Sequence, residues 1–381
     1  MSYPWSLICS HCGLAESAEG LPTVCPKCGS PWLVRYTSTP PATLKNRLRE
    51  RPWTMWRYRE WLPLENGEEP VTLGEGMTPL LRWPSLEREL GLKTVWIKDE
   101  SQNPTGSFKA RGLAAAVTAA RRGGARDLTI PTAGNAGVAL SAYARRAALP
   151  VHVFAPRTTP PTILQQIRSF GADLVLLDGH IGDCGKAARQ FAAEHDAFDV
   201  STLREPYRIE GKKTMGLELA EQLGWRLPRA IIYPAGGGTG LIGMWKAFHE
   251  LRDGGWISDP LPRLFAVQSS GCAPVVKAFE RGAEQTDAWP EPVTVASGLR
   301  VPAPLGGRLM LRVLRETHGS AVAVTDEELT RAQASLGDQG LDASPEGGAA
   351  AAALRTLVER KAIATEDSVV LFNTGAGWLY R

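Results

Sequence analysis

One lysine of this chain stands in a setting that ordinary surface lysines lack. The segment Asn103-Pro104-Thr105-Gly106-Ser107-Phe108-Lys109-Ala110-Arg111-Gly112 leads into a helix expected from Ser107 to Arg122. Ser107 would be its N-cap and Gly123-Gly124 its stop. Lys109 then lies in the first turn, where the positive end of the helix repels a cation. That placement favours the free amine, the form a carbonyl-bonding lysine requires. A solvated surface lysine is the plain alternative, and the surrounding Asn-Pro-Thr-Gly-Ser-Phe speaks against it. A second junction, Pro131-Thr132-Ala133-Gly134-Asn135-Ala136-Gly137, is built of small residues. These let backbone N–H groups approach an anion such as a carboxylate, and the Asn135 amide can donate to a phenolate oxygen. A third, Gly236-Gly237-Gly238-Thr239-Gly240, follows the strand-like AIIYPA and precedes a helix. Consecutive N–H donors at the positive end of a helix suit a phosphate dianion. The loop is neither G-x-G-x-x-G nor a Walker A loop, so nucleotides are not favoured.

Cysteines form a separate constellation. Cys9, Cys12, Cys25 and Cys28 make two C-x-x-C knuckles, each followed by glycine and separated by 12 residues. Paired knuckles suit tetrahedral Zn²⁺, and four thiolates leave no open position, so the role would be structural. Disulfides or inert thiols are the alternative, disfavoured in an intracellular chain. His11 lies inside the first knuckle and reads as a bystander, and Cys184 and Cys272 read as ordinary thiols.

The elements that must position these residues follow from patterning. The chain has 381 residues, a net charge of +3, 22% charged and 43% hydrophobic residues, which suits a folded protein of about two domains. Balanced charge argues against a dedicated nucleic-acid binder. No apolar run is long enough to span a membrane, and MSYPWSLICSHCG lacks the layout of a secretory signal, so a soluble, cytoplasmic protein is expected. A Pro- and Trp-rich stretch from Thr37 to Pro70 reads as an irregular wrap or short helices, with Trp53, Trp56 and Trp61 in core packing. From Val95 onward short apolar strands alternate with helices, ending with the strand DSVVLFNTG. Thr325 and Glu328 form a capping box after the strand AVAV. Such alternation indicates α/β architecture with parallel sheets covered on both faces. In such sheets ligands sit beyond the carboxyl ends of strands, where the three junctions fall.

Together these motifs resemble the fold type II (tryptophan synthase beta-like) family of pyridoxal phosphate (PLP) enzymes, over nearly the whole chain and nearest to its threonine synthase branch. The branch's G-E-G-x-T-P-L appears as Gly74-Glu75-Gly76-Met77-Thr78-Pro79-Leu80, and its N-P-T-G-S-F-K surrounds Lys109. Its P-Y-R-I-E-G-x-K-T appears as Pro206 to Thr214. Many relatives begin with a similar zinc ribbon. The resemblance implies two open twisted-sheet α/β domains with the cofactor between them, plus an N-terminal ribbon. The expected division is 1–36 ribbon, 37–103 and 210–381 large cofactor domain, and 104–209 smaller substrate-closing domain.

The resemblance also implies roles. Lys109 holds PLP as a Schiff base and is the principal acid and base. Gly236, Gly237, Gly238, Thr239 and Gly240 bind the cofactor phosphate, Asn135 its ring hydroxyl, and Thr374 faces the pyridine nitrogen. Thr78, Thr132, Thr202 and Arg208 bind substrate, Arg being apt for phosphate through its planar fork. The implied reaction converts O-phospho-L-homoserine and water to L-threonine and phosphate. A homodimer is implied, with an amino-acid substrate and no nucleic-acid or membrane partner. Two departures bear on substrate: Ala110 stands where the family usually has Asp, and Ser201 where it has Asn. They leave open a serine/threonine-type dehydratase or ammonia-lyase, or a replacement enzyme using another nucleophile. A binding protein with a retired catalytic body is disfavoured by the intact lysine, glycine loop and terminal Thr-Gly.

Overall fold

The computed structural model describes residues 4–381. Residues 1–3, part of the expected ribbon and of the stretch read for a leader, lie outside the described residues. Cα packing divides the chain into two compact units. Of the described residues, the first comprises 4–77, 103–214 and 379–381, the second 78–102 and 215–378. This grouping differs from the sequence-based one, which joins residues 37–77 and 210–214 to the C-terminal half. Local bonds explain why 37–77 stays with the first unit: the Val71 N–H donates to Thr118 Oγ1 at 2.9 Å and the Gly76 N–H to Asn103 Oδ1 at 3.1 Å.

The first unit holds two sheets. A small antiparallel one has the order Ala15–Glu16, Trp5–Cys9, Trp32–Tyr36 and carries the cysteine knuckles in its connections. The other is four-stranded and parallel, in the order Asp173–Leu177, Val151–Pro156, Leu128–Pro131, Phe198–Asp199. Helices Lys109–Arg122, Asn135–Arg146, Pro161–Ser169 and Ile181–His195 surround it. The Trp-rich stretch forms the expected short helices, Ala42–Leu44, Lys45–Leu48 and Met55–Trp61. Trp61 is buried, but Trp53 is 65% exposed with the Arg57 guanidinium 4.9 Å above its ring, so it is not a core residue.

The second unit contains a six-stranded sheet in the order Ser320–Val324, Arg263–Ser269, Ala230–Pro234, Ser368–Asn373, Thr94–Asp99, Leu80–Arg82. All neighbours are parallel except the edge strand Leu80–Arg82, which pairs antiparallel with Thr94–Asp99. That three-residue edge was not legible as a strand, because Pro79 and Pro84 bracket too short a run to show alternation. Helix Gly307–Glu316 was also missed, although its apolar positions recur at helical spacing. The Thr325–Glu328 capping box is present. Among the described residues no helix is long and apolar enough to cross a membrane.

Two helices of the first unit meet almost backbone to backbone. Helix Lys109–Arg122 is Ala-rich and buried along most of its length. Helix Tyr207–Gln222 begins in the first unit and ends in the second. A Cβ on Gly211 would strike the carbonyl oxygen of Arg111, and one on Gly112 would lie 3.0 Å from the carbonyl oxygen of Arg208. Arg111 Nη1 donates to Thr214 Oγ1 at 3.1 Å, and Lys212 Nζ donates to the Phe108 carbonyl. Overpacking at such a crossing costs about 1–3 kcal/mol. Gly211→Ala should therefore lower the thermal unfolding midpoint by several degrees. An unchanged midpoint would show that the helices can separate freely.

Candidate active site

Each chemically marked junction leaves a parallel sheet at its carboxyl end. In the first unit, strand Leu128–Pro131 runs into Thr132–Asn135, and its neighbour Phe198–Asp199 runs into Val200–Arg208. The Val200 N–H continues the ladder to the Thr129 carbonyl at 2.9 Å, so both loops emerge together. Lys109 opens the helix that packs against helix Asn135–Arg146. It is the first helical residue, two residues later than the expected helix start but still in the first turn, and half-buried, with Nζ 4.1 Å from the centre of the Phe108 ring. Ser107 is not the N-cap: Phe108 occupies that position without a side-chain bond, and Ser107 Oγ is buried with no hydrogen-bond partner. The turn is instead closed by the Ala110 N–H on the Ser107 carbonyl at 3.2 Å. Ala110 is fully buried, which suits an apolar side chain.

Thr132 is buried and ties its loop together. Its Oγ1 donates to the Gly134 carbonyl at 2.8 Å and accepts the N–H groups of Gly134 and Gly137, each at 3.1 Å. Asn135 follows as the first residue of its helix, with Nδ2 donating to Tyr380 Oη at 3.2 Å. On the adjacent loop Thr202 is exposed, whereas Ser201 is buried with its N–H on Asp199 Oδ1 at 2.9 Å. Arg208 is 1% exposed. Its Nη1 donates to the Val200 carbonyl at 2.8 Å, and its Nε has no acceptor among the described residues. Burial lowers its pKa from the ordinary value, opposed by the charges of Glu205 and Asp199.

The second unit holds the glycine loop and Thr374. Strands Ala230–Pro234 and Ser368–Asn373 are parallel neighbours, so Gly236–Gly240 and Thr374 leave from the same end. The loop opens helix Thr239–Asp253 with Gly238 as N-cap at φ +81°, a left-handed conformation that favours glycine. A Cβ there would also collide with the Met310 side chain. Thr374 is buried, and the preceding Asn373 is fixed by Nδ2 donating to Asp99 Oδ1 at 2.8 Å and by Oδ1 accepting the Ser344 N–H at 3.1 Å. Thr78 also belongs to this unit, and both of its donors are engaged. Its N–H reaches Glu218 Oε1 at 2.6 Å and its hydroxyl reaches Glu100 Oε1 at 2.7 Å.

Several residues of these loops escaped the sequence reading. Glu75 is fully buried and accepts from Trp56 Nε1 at 2.5 Å, the Leu73 N–H at 2.9 Å and Tyr143 Oη at 2.7 Å. Burial, aided by the Glu75 charge, pushes the Tyr143 phenol well above its ordinary range. Lys98 is buried and donates to the Thr78 carbonyl at 2.6 Å and Glu218 at 2.8 Å. Both lie in or beside the quoted motifs, but their partners are remote in sequence and gave no local cue.

The four knuckle thiols converge. Their Sγ atoms all lie within 4.8 Å of one another, with Cys9–Cys28 at 3.4 Å and Cys12–Cys25 at 3.7 Å, and none is in a disulfide. Thiolates about 2.3 Å from one ion in a tetrahedron stand about 3.8 Å apart, near the 3.7 Å of Cys12–Cys25. His11 is exposed and outside the cluster.

A half-buried amine at a helix start and an N–H-rich loop at the end of a parallel strand define a cofactor-dependent α/β enzyme. Residues 71–375 match the family model described as pyridoxal-phosphate dependent enzyme, and the chain belongs to that family. It is 33% identical over 374 residues to the threonine synthase of Methanosarcina acetivorans, covering 97% of this chain and 91% of that one. It is 32% identical over 373 residues to the threonine synthase of Methanocaldococcus jannaschii, with the same coverage. Among solved structures, maize serine racemase shares the fold with a TM-score of 0.69 at 24% identity, covering 79% of this chain and 88% of that one.

Glu205 offers a test of the buried charges. It is 1% exposed and accepts the N–H groups of Tyr207 at 2.7 Å and Arg208 at 3.1 Å. Burial pushes its carboxyl up to about 7, against the pull of Arg208. A carboxyl raised on folding stabilises the fold fully below its unfolded value of about 4.3, and that stability is lost as pH rises through the folded value. Glu205→Gln should thus gain stability relative to the parent between pH 5 and 8, by at most about 4 kcal/mol. Parallel stability curves for the two proteins would contradict the shift.

Proposed function

We propose that the chain is a threonine synthase, converting O-phospho-L-homoserine and water to L-threonine and phosphate. The observation that carries this is the likeness to threonine synthases over 97% of the chain. Its motifs also fall at the carboxyl ends of adjacent parallel strands, as ligand sites in such sheets do.

The residues present fit pyridoxal phosphate. Lys109 would hold the cofactor, the N–H groups of Gly236–Gly240 would receive its phosphate, and Asn135 and Thr374 would serve the ring oxygen and ring nitrogen. When bound, the cofactor supplies an electron sink for charge developing at the substrate Cα. A neutral hydroxyl at Thr374 accepts or donates without imposing a charge on the ring. Lys109 Nζ takes the proton from Cα. After loss of a Cβ proton and of phosphate from Cγ, protons return at Cγ and Cα while water adds at Cβ. Arg208, with its unsatisfied Nε, and the exposed Thr202 bind the substrate phosphate. Thr132 engages the Gly134 and Gly137 N–H groups and so shapes the Thr132–Asn135 loop, whose N–H groups at Ala133 and Asn135 take the substrate carboxylate. Thr78, whose donors are engaged, acts through the loop it anchors. The cysteine cluster carries a structural zinc ion, as its sulfur spacing supports. The same reading takes the enzyme to be a cytoplasmic homodimer.

The deciding assay follows phosphate and threonine from O-phosphohomoserine, beside keto-acid formation from L-threonine and L-serine. Equal yields of phosphate and threonine are expected. Keto acid without phosphohomoserine turnover would move the chain to the dehydratases. Lys109→Ala should abolish both turnover and the visible absorbance of bound cofactor, and survival of that absorbance would overturn the role of Lys109. Metal analysis of the purified protein should find a single zinc per chain, lost in Cys25→Ser together with thermal stability. A protein that keeps its stability without metal would refute the structural role.

A further inference from the structure

Asn135 is held in an orientation that does not suit its proposed task. Its Nδ2 donates to Tyr380 Oη at 3.2 Å, while its Oδ1 is buried with no hydrogen-bond partner among the described residues. A buried amide oxygen without a donor is unfavourable. A phenolate-like ring oxygen only accepts, so the amide oxygen would repel it and the amide NH₂ would attract it. Exchanging the amide's two ends by a half-turn resolves both problems. Tyr380 Oη can donate as well as accept, so the same hydroxyl that now receives Nδ2–H can then give its proton to Oδ1.

The tyrosine is well placed to act as this pivot. It belongs to the first unit, as does Asn135. Leu379 beside it is fully buried, and the Arg381 carbonyl accepts from Thr162 Oγ1 at 2.6 Å. The ring thus hangs between two anchored neighbours, and its hydroxyl meets the residue that opens helix Asn135–Arg146.

We propose that Tyr380 is a positioning residue for Asn135: its hydroxyl holds the amide oxygen in the loaded enzyme and so directs the amide NH₂ at the cofactor ring oxygen. This rests on the reading of Asn135 as the ring-oxygen ligand.

The test compares Tyr380→Phe, Asn135→Ala and the double variant as purified holoenzymes. The readouts are the visible absorbance of bound cofactor against pH and the cofactor dissociation constant by fluorescence titration. Phenylalanine keeps the ring and removes only the hydroxyl. Tyr380→Phe is expected to displace the pH midpoint of the absorbance change and weaken cofactor binding roughly fivefold to tenfold, the worth of one hydrogen bond. The cofactor-free protein loses only the bond from Asn135 Nδ2, so its thermal midpoint should fall by at most a few degrees. In the Asn135→Ala background the same substitution should have no further effect. If Asn135→Ala shifts the absorbance and Tyr380→Phe does not, Tyr380 only packs and the proposal is wrong. An equal effect of Tyr380→Phe in both backgrounds would also overturn it. If Asn135→Ala itself changes nothing, the underlying reading of Asn135 fails instead.

Discussion

The crossing at Gly112 and Gly211 is the constraint on which the first unit depends. A Cβ at Gly211 would strike the Arg111 carbonyl and one at Gly112 would crowd the Arg208 carbonyl, so glycine sets how closely the backbones approach. That approach lets Lys212 reach the Phe108 carbonyl and Arg111 reach Thr214. The first bond fixes the residue directly before Lys109. The amine is therefore placed by a helix whose first turn carries the Pro-Tyr-Arg segment. The two longest motifs of the chain are thus two sides of one contact, and a change in either disturbs the other.

Buried charge is managed in the same local way in the second unit. Lys98, Asp99 and Glu100 end one strand, and each holds a different piece of a neighbouring loop. Lys98 meets Glu218 and the Thr78 carbonyl, Asp99 meets Asn373, and Glu100 meets the Thr78 hydroxyl. A buried ion pair adds little stability over well-packed apolar groups. Its yield here is geometric: Thr78 has its N–H, carbonyl and hydroxyl all specified, and Asn373 cannot turn without losing Asp99.

The legible part of the sequence was the local part. The strands AIIYPA, AVAV and DSVVLFNTG and the helix begun by the Thr325–Glu328 capping box fall where they were read, since neighbours in sequence set them. The Lys109 position and the glycine loop were likewise visible, because a first-turn lysine and four glycines in five residues are local anomalies. The illegible part depends on distant partners. Ser107 looks like a cap, yet the chain turns at Phe108 and buries the hydroxyl. The Pro-Tyr-Arg-Ile-Glu-Gly segment read as a motif of no defined structure, and it is the opening turn of helix Tyr207–Gln222. Residues 37–77 carry no periodicity that would assign them to one unit, and single bonds such as Val71 to Thr118 decide it.

The two departures from the family pattern have a physical logic. On the proposed reading the second unit grips the cofactor phosphate with backbone N–H groups. Those donors exist only if the chain can follow the loop, so Gly238 is held by its left-handed φ and by Met310. On the same reading the first unit meets the substrate phosphate with the side chains of Arg208 and Thr202, and the carboxylate with backbone N–H groups of the Thr132–Asn135 loop. Thr132 hydrogen bonds hold that loop, and the Asp199 and Val200 ladder holds the loop of Thr202. A side chain can change there while the backbone remains. Ser201 keeps its N–H on Asp199 whatever group it carries, and Ala110 fills a buried site that an aspartate would charge. Variation in such an enzyme should gather where side chains recognise substrate and be scarce where backbone holds the cofactor. Ala110 and Ser201 both lie in the first unit, and the glycine loop of the second is intact.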